Sequence, residues 1–119
     1  MYWPALSIGL LVGNLTGTQL AGLEATVSSA SPFIVVPGDV LDRLGMPRAR
    51  RQRFQLADGQ IVEHDVGDAR VQIDGKECVT AVIFAEPNEP SVVGRVVLVS
   101  LLLRIDSAGQ RLIPVVGRR

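Results

Sequence analysis

The sequence predicts a small all-β domain carrying one or two short helices. Three observations lead there. Two Asp-Gly pairs, Asp58-Gly59 and Asp74-Gly75, are each flanked by strand-forming residues, as tight type I′ hairpins require. Between them Asp68-Ala69-Arg70-Val71-Gln72-Ile73-Asp74 alternates strictly, which puts Ala69, Val71 and Ile73 on one face of a half-buried strand. Short apolar runs punctuated by Gly, Ser, Thr and Pro recur along the rest of the chain, the pattern of a sandwich or barrel.

Taken in order, Leu10 to Val12, Leu23 to Val27 and Phe33 to Val36 read as short strands. A helix of about two turns follows: Gly38 or Asp39 can cap it, Val40, Leu41 and Leu44 share a face, and Gly45 with Pro47 ends it. Arg48, Arg50, Arg51 and Arg53 read as a solvated loop after that helix, and Glu63, Asp65 and Asp68 as solubilising charge on a strand face. Beyond the second Asp-Gly pair, Cys78 to Phe84 is rich in β-branched residues until Pro87-Asn88-Glu89-Pro90 breaks it. Val92 to Leu103 fits two readings, its valines favouring a strand and its leucines a buried helix. Ile105 to Ile113 reads as a closing turn and strand, with Arg118 and Arg119 as a loose end.

Composition narrows the function classes. The chain has 119 residues, 47% apolar and 4% aromatic, with 12 basic against 12 acidic residues. A domain of this size buries roughly two-thirds of its unfolded surface, so one aliphatic core without metals or disulfides suffices. Zero net charge removes the attraction that non-specific nucleic-acid binding or an anionic membrane needs, and it gives little protection against self-association. The single cysteine, Cys78, cannot form an internal disulfide, which fits a reducing, cytoplasmic compartment. Ala5 to Val12 is too short and too interrupted for a transmembrane span, and no signal peptide is read. Asn14-Leu15-Thr16 is then a chance match to a glycosylation sequon.

No motif of residues announces chemistry. Val27-Ser28-Ser29-Ala30-Ser31 clusters small residues, but no Gly-x-Ser-x-Gly elbow is present, and the single histidine, His64, reads as a solvated side chain in a polar strand. His64 and Cys78 make no ligand pair, so no metal is expected, and Gly13, Gly17 and Gly22 are too widely spaced for a phosphate cradle.

The order of the pieces nevertheless resembles the retropepsin-like aspartic proteases, in particular their small single-domain prokaryotic members. Val27-Ser28-Ser29-Ala30-Ser31 through Pro37 falls where that family carries Val-Asp-Thr-Gly-Ala and a Val-Pro strand end. Asp39 to Gly45 resembles the helical turn that follows, and Phe54 to Val62 the flap hairpin. Ser91-Val92-Val93-Gly94-Arg95 is similar to the apolar-apolar-Gly element before the C-terminal helix, and Ile105 to Pro114 to the closing hairpin. The resemblance runs from Leu10 to Val115. It implies one domain over residues 1–119, with its core at about 10–115. The implied fold is a closed or partly open barrel with a flap, working as a homodimer without a cofactor.

That family's chemistry needs two aspartates, one from each subunit, close enough to share a proton. Here Ser28 stands in place of the aspartate, Ser29 of the threonine and Ala30 of the glycine. A serine hydroxyl can neither deprotonate water at moderate pH nor share a proton across such a pair, although Ser29 could keep a loop-bracing hydrogen bond. No other aspartate is expected to replace it, since Asp39 and Asp42 belong to the helical turn and Asp58 to the flap tip. The expected function is an inactive homologue that holds an extended peptide through Ser28, Ala57, Asp58 and Gly59. An active endopeptidase and a purely self-associating interaction module are the alternatives.

Overall fold

The computed structural model describes residues 6–106, 108 and 110–116. Along them run β1 (Ser7–Gly13), β2 (Leu20–Val27), β3 (Ile34–Pro37), α1 (Gly38–Arg43), β4 (Arg50–Gln55), β5 (Ile61–Ile73), β6 (Lys76–Ala85), β7 (Val92–Val93), α2 (Arg95–Leu101), β8 (Leu103–Asp106) and β9 (Arg111–Pro114). The all-β reading with short helices holds. Seven strands form one sheet in the order β1-β2-β7-β3-β6-β5-β4, and an added β1–β5 pairing joins Gly13 to Arg70, so the sheet curls round and partly closes. β4 stays outside that ring as an edge, while β8 and β9 make a separate hairpin.

The enclosed space is filled by aliphatic side chains and one phenylalanine. Val12, Ile34, Val36, Leu41, Val71, Val82, Val93 and Val97 are fully buried around Phe84. Each such side chain contributes about 1.5–3 kcal/mol by leaving water. The alternation at Ala69, Val71 and Ile73 faces this core as predicted.

The two Asp-Gly turns differ. Asp74 and Gly75 both have positive φ, 51° and 79°, and link Ile73 to its partner Lys76, which is the type I′ geometry expected. At the other pair only Gly59 has positive φ, at 89°. Its N–H bonds Leu56 O at 2.9 Å, the Leu56 N–H bonds Gln60 O at 2.8 Å, and Asp58 Oδ1 accepts from the Gln60 N–H. The type I′ expectation is therefore corrected there. The loop from Leu56 to Gln60 is a turn followed by a left-handed glycine, a longer connection that Asp-Gly serves equally well.

Other expectations also change. Gly38 is already inside α1 and Pro37 is the N-cap, with no side-chain cap bond. At its other end the Gly45 N–H bonds Asp42 O and the Met46 N–H bonds Leu41 O, a Schellman ending with Gly45 left-handed. The basic stretch is not a loop: Arg50 to Gln55 is the edge strand β4, paired to β5 from Arg50↔Val66 to Gln55↔Ile61. Arg48 bonds both Asp42 and Asp65 at 2.8 Å and lies 4.6 Å from the Phe84 ring centroid, and Arg51 reaches Asp65 and Glu63. Glu63 and Asp65 thus belong to a charge network with Arg48, Arg51 and Asp42 rather than being free solubilising charge.

The two readings of Val92 to Leu103 are both partly right, since Val92–Val93 is a strand and Arg95–Leu101 a helix. Gly94 makes the switch. A Cβ there would meet Phe33 O at 2.1 Å and Ser31 O at 2.6 Å, so the backbone passes where no side chain fits. The helix buries Val97, Leu98 and Leu101 and leaves Val99 66% exposed.

Candidate functional site

The loop from Ser28 to Phe33 leaves the end of β2 between two neighbouring strands. β2 runs parallel to β7 at Thr26↔Val92 and Val27↔Val93, and the register continues as the Ser28 N–H donates to Val93 O at 2.9 Å. Farther along, the loop's carbonyls end the open backbone of α2: Ser31 O accepts from the Arg95 N–H at 2.7 Å and Pro32 O from the Val96 N–H at 2.9 Å. Those N–H groups have no partner within a helix, so the contact satisfies both elements. The Arg95 guanidinium adds a bond from Nη1 to Ser29 O at 3.3 Å. Ser29 and Ala30 are exposed and Ser28 is half-buried. Neither the Ser28 nor the Ser29 hydroxyl bonds another described residue, so the loop is braced by backbone and Arg95 and not by the Ser29 side chain.

Facing this loop is the hairpin of β4 with the first half of β5, and a groove of about 700 Å³ lies between them. Ala30, Ser31, Pro32 and Phe33 form one wall; Phe54, Leu56, Ala57, Gly59 and Val62 form the other; Val35 and Ile83, paired across β3 and β6, and the bonded His64 and Glu89 complete the lining, on the side termed the inner end. Of the expected peptide contacts, Ala57 and Gly59 line it together with Ala30, whereas Ser28 and Asp58 are not among the lining residues. The aromatic wall is ordered edge to face: the Phe33 and Phe54 centroids are 5.8 Å apart, and those of Phe54 and His64 6.2 Å.

His64 corrects the sequence reading most. It is 6% exposed, not solvated, and its Nε2 lies 2.6 Å from Glu89 Oε1. The same carboxylate oxygen accepts the Glu86 N–H at 2.7 Å. Burial alone would raise the Glu89 carboxyl, but the bonds from Glu86 and His64 outweigh it and hold the group below its ordinary value. Glu89 is therefore ionised at neutral pH. Nε2 carries the proton of their bond, and Nδ1 is buried without a partner among the described residues. The alternation in β5 contained a signal for this: Val62, His64 and Val66 share one face, so His64 lies in an inward row.

The carboxylates weighed as substitutes lie elsewhere. Asp42 is bound to Arg48, which holds its carboxyl low, and Asp58 is bound within its own turn. Asp39 sits in the first turn of α1. Among the described residues no three His, Cys, Asp or Glu side chains group to hold a metal, and no helix is long and apolar enough to cross a membrane.

No family model matches the chain, and no curated protein matches it by sequence. Solved structures do. The EIAV protease in complex with the inhibitor HBY-793 superposes with a TM-score of 0.57 at 17% identity, covering 82% of this chain and 88% of that one. A retropepsin-like aspartic protease from Rickettsia conorii gives 0.54 at 17% identity, covering 89% and 91%. At that identity the likeness is one of architecture, and it establishes that this chain has the retropepsin fold.

Proposed function

We propose that this chain is a retropepsin-like homologue without aspartic-protease activity, which binds an extended peptide in the groove beneath its β4–β5 flap and works as a homodimer. The observation that carries the reading is Ser28, at the end of β2, where the family resemblance calls for the catalytic aspartate. Its hydroxyl is not an acid of useful strength, and the loop from Ser28 to Phe33 contains no carboxylate at all. The groove supports the binding half of the proposal. It lies between the Ala30–Phe33 loop and the β4–β5 hairpin and is lined mainly by apolar side chains, a form that suits an extended chain.

The test is an assay of the purified protein on unfolded casein at pH values from about 3 to 7. No fragments are expected. Cleavage blocked by a pepstatin-type inhibitor overturns the inactive reading. A second reading is a self-associating interaction module with an unused groove; the exposed Val99 on α2 supports self-association in both readings. A randomised peptide library separates the two, since no enrichment of any extended sequence favours the module.

A further inference from the structure

We propose that Glu89 makes the inner end of the groove a subsite for a basic side chain, so that the bound peptide seats a lysine or arginine there. The inference rests on the peptide-groove reading and adds to it what the groove selects. The inner end combines apolar walls, from Phe33, Phe54, Val62 and Ile83, with one carboxylate. Such a site fits a side chain that is aliphatic along its stem and cationic at its tip. Glu89 uses Oε1 for both of its bonds, to His64 and to the Glu86 N–H. Oε2 takes none from the described residues, and the side chain is 37% exposed. It is an ionised acceptor already held in place, with no lysine or arginine among the residues lining the groove to neutralise it.

His64 acts as a positioning residue. Its ring is packed edge-on to Phe54, and its Nε2–H fixes the carboxylate through Oε1 while leaving Oε2 without a bond among the described residues. A lysine ammonium or arginine guanidinium gains a charge-assisted bond there, stronger than a neutral hydroxyl or amide would make. The zero net charge of the chain gives no general attraction for cations, so a preference for a basic residue must come from a local site.

The experiment uses fluorescein-labelled nonapeptides of a threonine and valine host, with Lys, Arg, Leu, Gln or Tyr placed at each position in turn. Binding to the full chain is read by anisotropy. At one position Lys and Arg are expected to bind roughly tenfold more tightly than Leu or Gln. Glu89→Gln, whose amide oxygen can keep both existing bonds, should lose that preference and bind the Lys and Arg peptides no more tightly than the Leu and Gln peptides. A flat scan, a preference for Tyr, or a basic preference that survives in Glu89→Gln overturns the proposal and leaves the groove reading standing. Binding of none of the peptides overturns both.

Discussion

Glu89 accepts a hydrogen bond from His64 across 25 positions of sequence, at 2.6 Å, and so ties the Pro87–Pro90 break to the base of the β4–β5 hairpin. The bond joins two elements that share no strand pairing, and it lies at the inner end of the groove. Acid should loosen it. The Glu89 carboxyl is held below its ordinary value, so its contribution is present in full above about pH 4.5 and is lost as pH falls through the lower folded value. The wild type should therefore exceed Glu89→Gln in stability above that pH, and the gap should close below it. The side chain is more than a third exposed, so the gap should stay below about 1 kcal/mol. Urea midpoints across pH check this, and a gap that widens in acid refutes it.

Gly94 supports the site loop by letting the backbone through. Gly94→Ala would drive a methyl to 2.1 Å from Phe33 O and 2.6 Å from Ser31 O, both main-chain atoms that cannot turn aside. The expected cost is about 3 kcal/mol or more, enough to unfold a marginal domain. Gly9→Ala is the matched control, because nothing lies within 4 Å of its Cβ position. It should stabilise by about 0.5–1 kcal/mol. Chemical denaturation of the two variants side by side decides the matter.

Arg48 links the α1–β4 connection to β5 through Asp42 and Asp65 while its guanidinium lies over Phe84. Arg48→Lys keeps the charge but loses the fork that serves two carboxylates at once, so it should lower the thermal midpoint. The difference should shrink as sodium chloride is raised, because the pairs are exposed. A loss independent of salt would assign the effect to packing on Phe84 instead.

How far the sequence exposed this depends on whether each signal was local. The Asp74-Gly75 hairpin was legible because both residues take positive φ, a demand that names its residue types. Ala69, Val71 and Ile73 were legible because the period of two holds over that half of β5. In the first half the inward row is Val62, His64 and Val66, so the buried face changes along one strand, and the period of the second half carried back puts the histidine outside. Its partner Glu89 sits in a proline-bounded break with no periodicity at all. Edge strand β4 was hidden by its arginines, since an edge admits charge on both faces. Ser28 was legible only through resemblance; nothing in its own chemistry marks the site.

The proposed homodimer places a demand on α2. Val99 is 66% exposed and Leu102 46%, apolar surface left open among the described residues. If a second copy covers it, Val99→Asp should shift the protein from dimer to monomer in light scattering at micromolar concentration. Its far-UV circular dichroism should not change, because the position makes no core contact. A Val99→Asp protein that is still a dimer shows that the two copies meet elsewhere.

Rebuilding the loop tests the inactive reading from the other side. Ser28→Asp alone supplies a carboxylate, and in a dimer the two copies would meet as like charges, of which only one ionises at moderate acidity. Ala30 lines the groove, and its methyl occupies space next to where a substrate chain would pass. Backbone strain does not enter, since Ala30 is not among the residues with positive φ. The expectation is that Ser28→Asp gives little cleavage of casein, whereas Asp, Thr and Gly together at 28 to 30 give more, with an optimum in the acid range. Equal activity in the two proteins would show that the methyl is harmless and that the aspartate alone was missing. Activity in neither would mean that the groove has diverged beyond the loop, with the His64–Glu89 pair at its inner end as the first place to look.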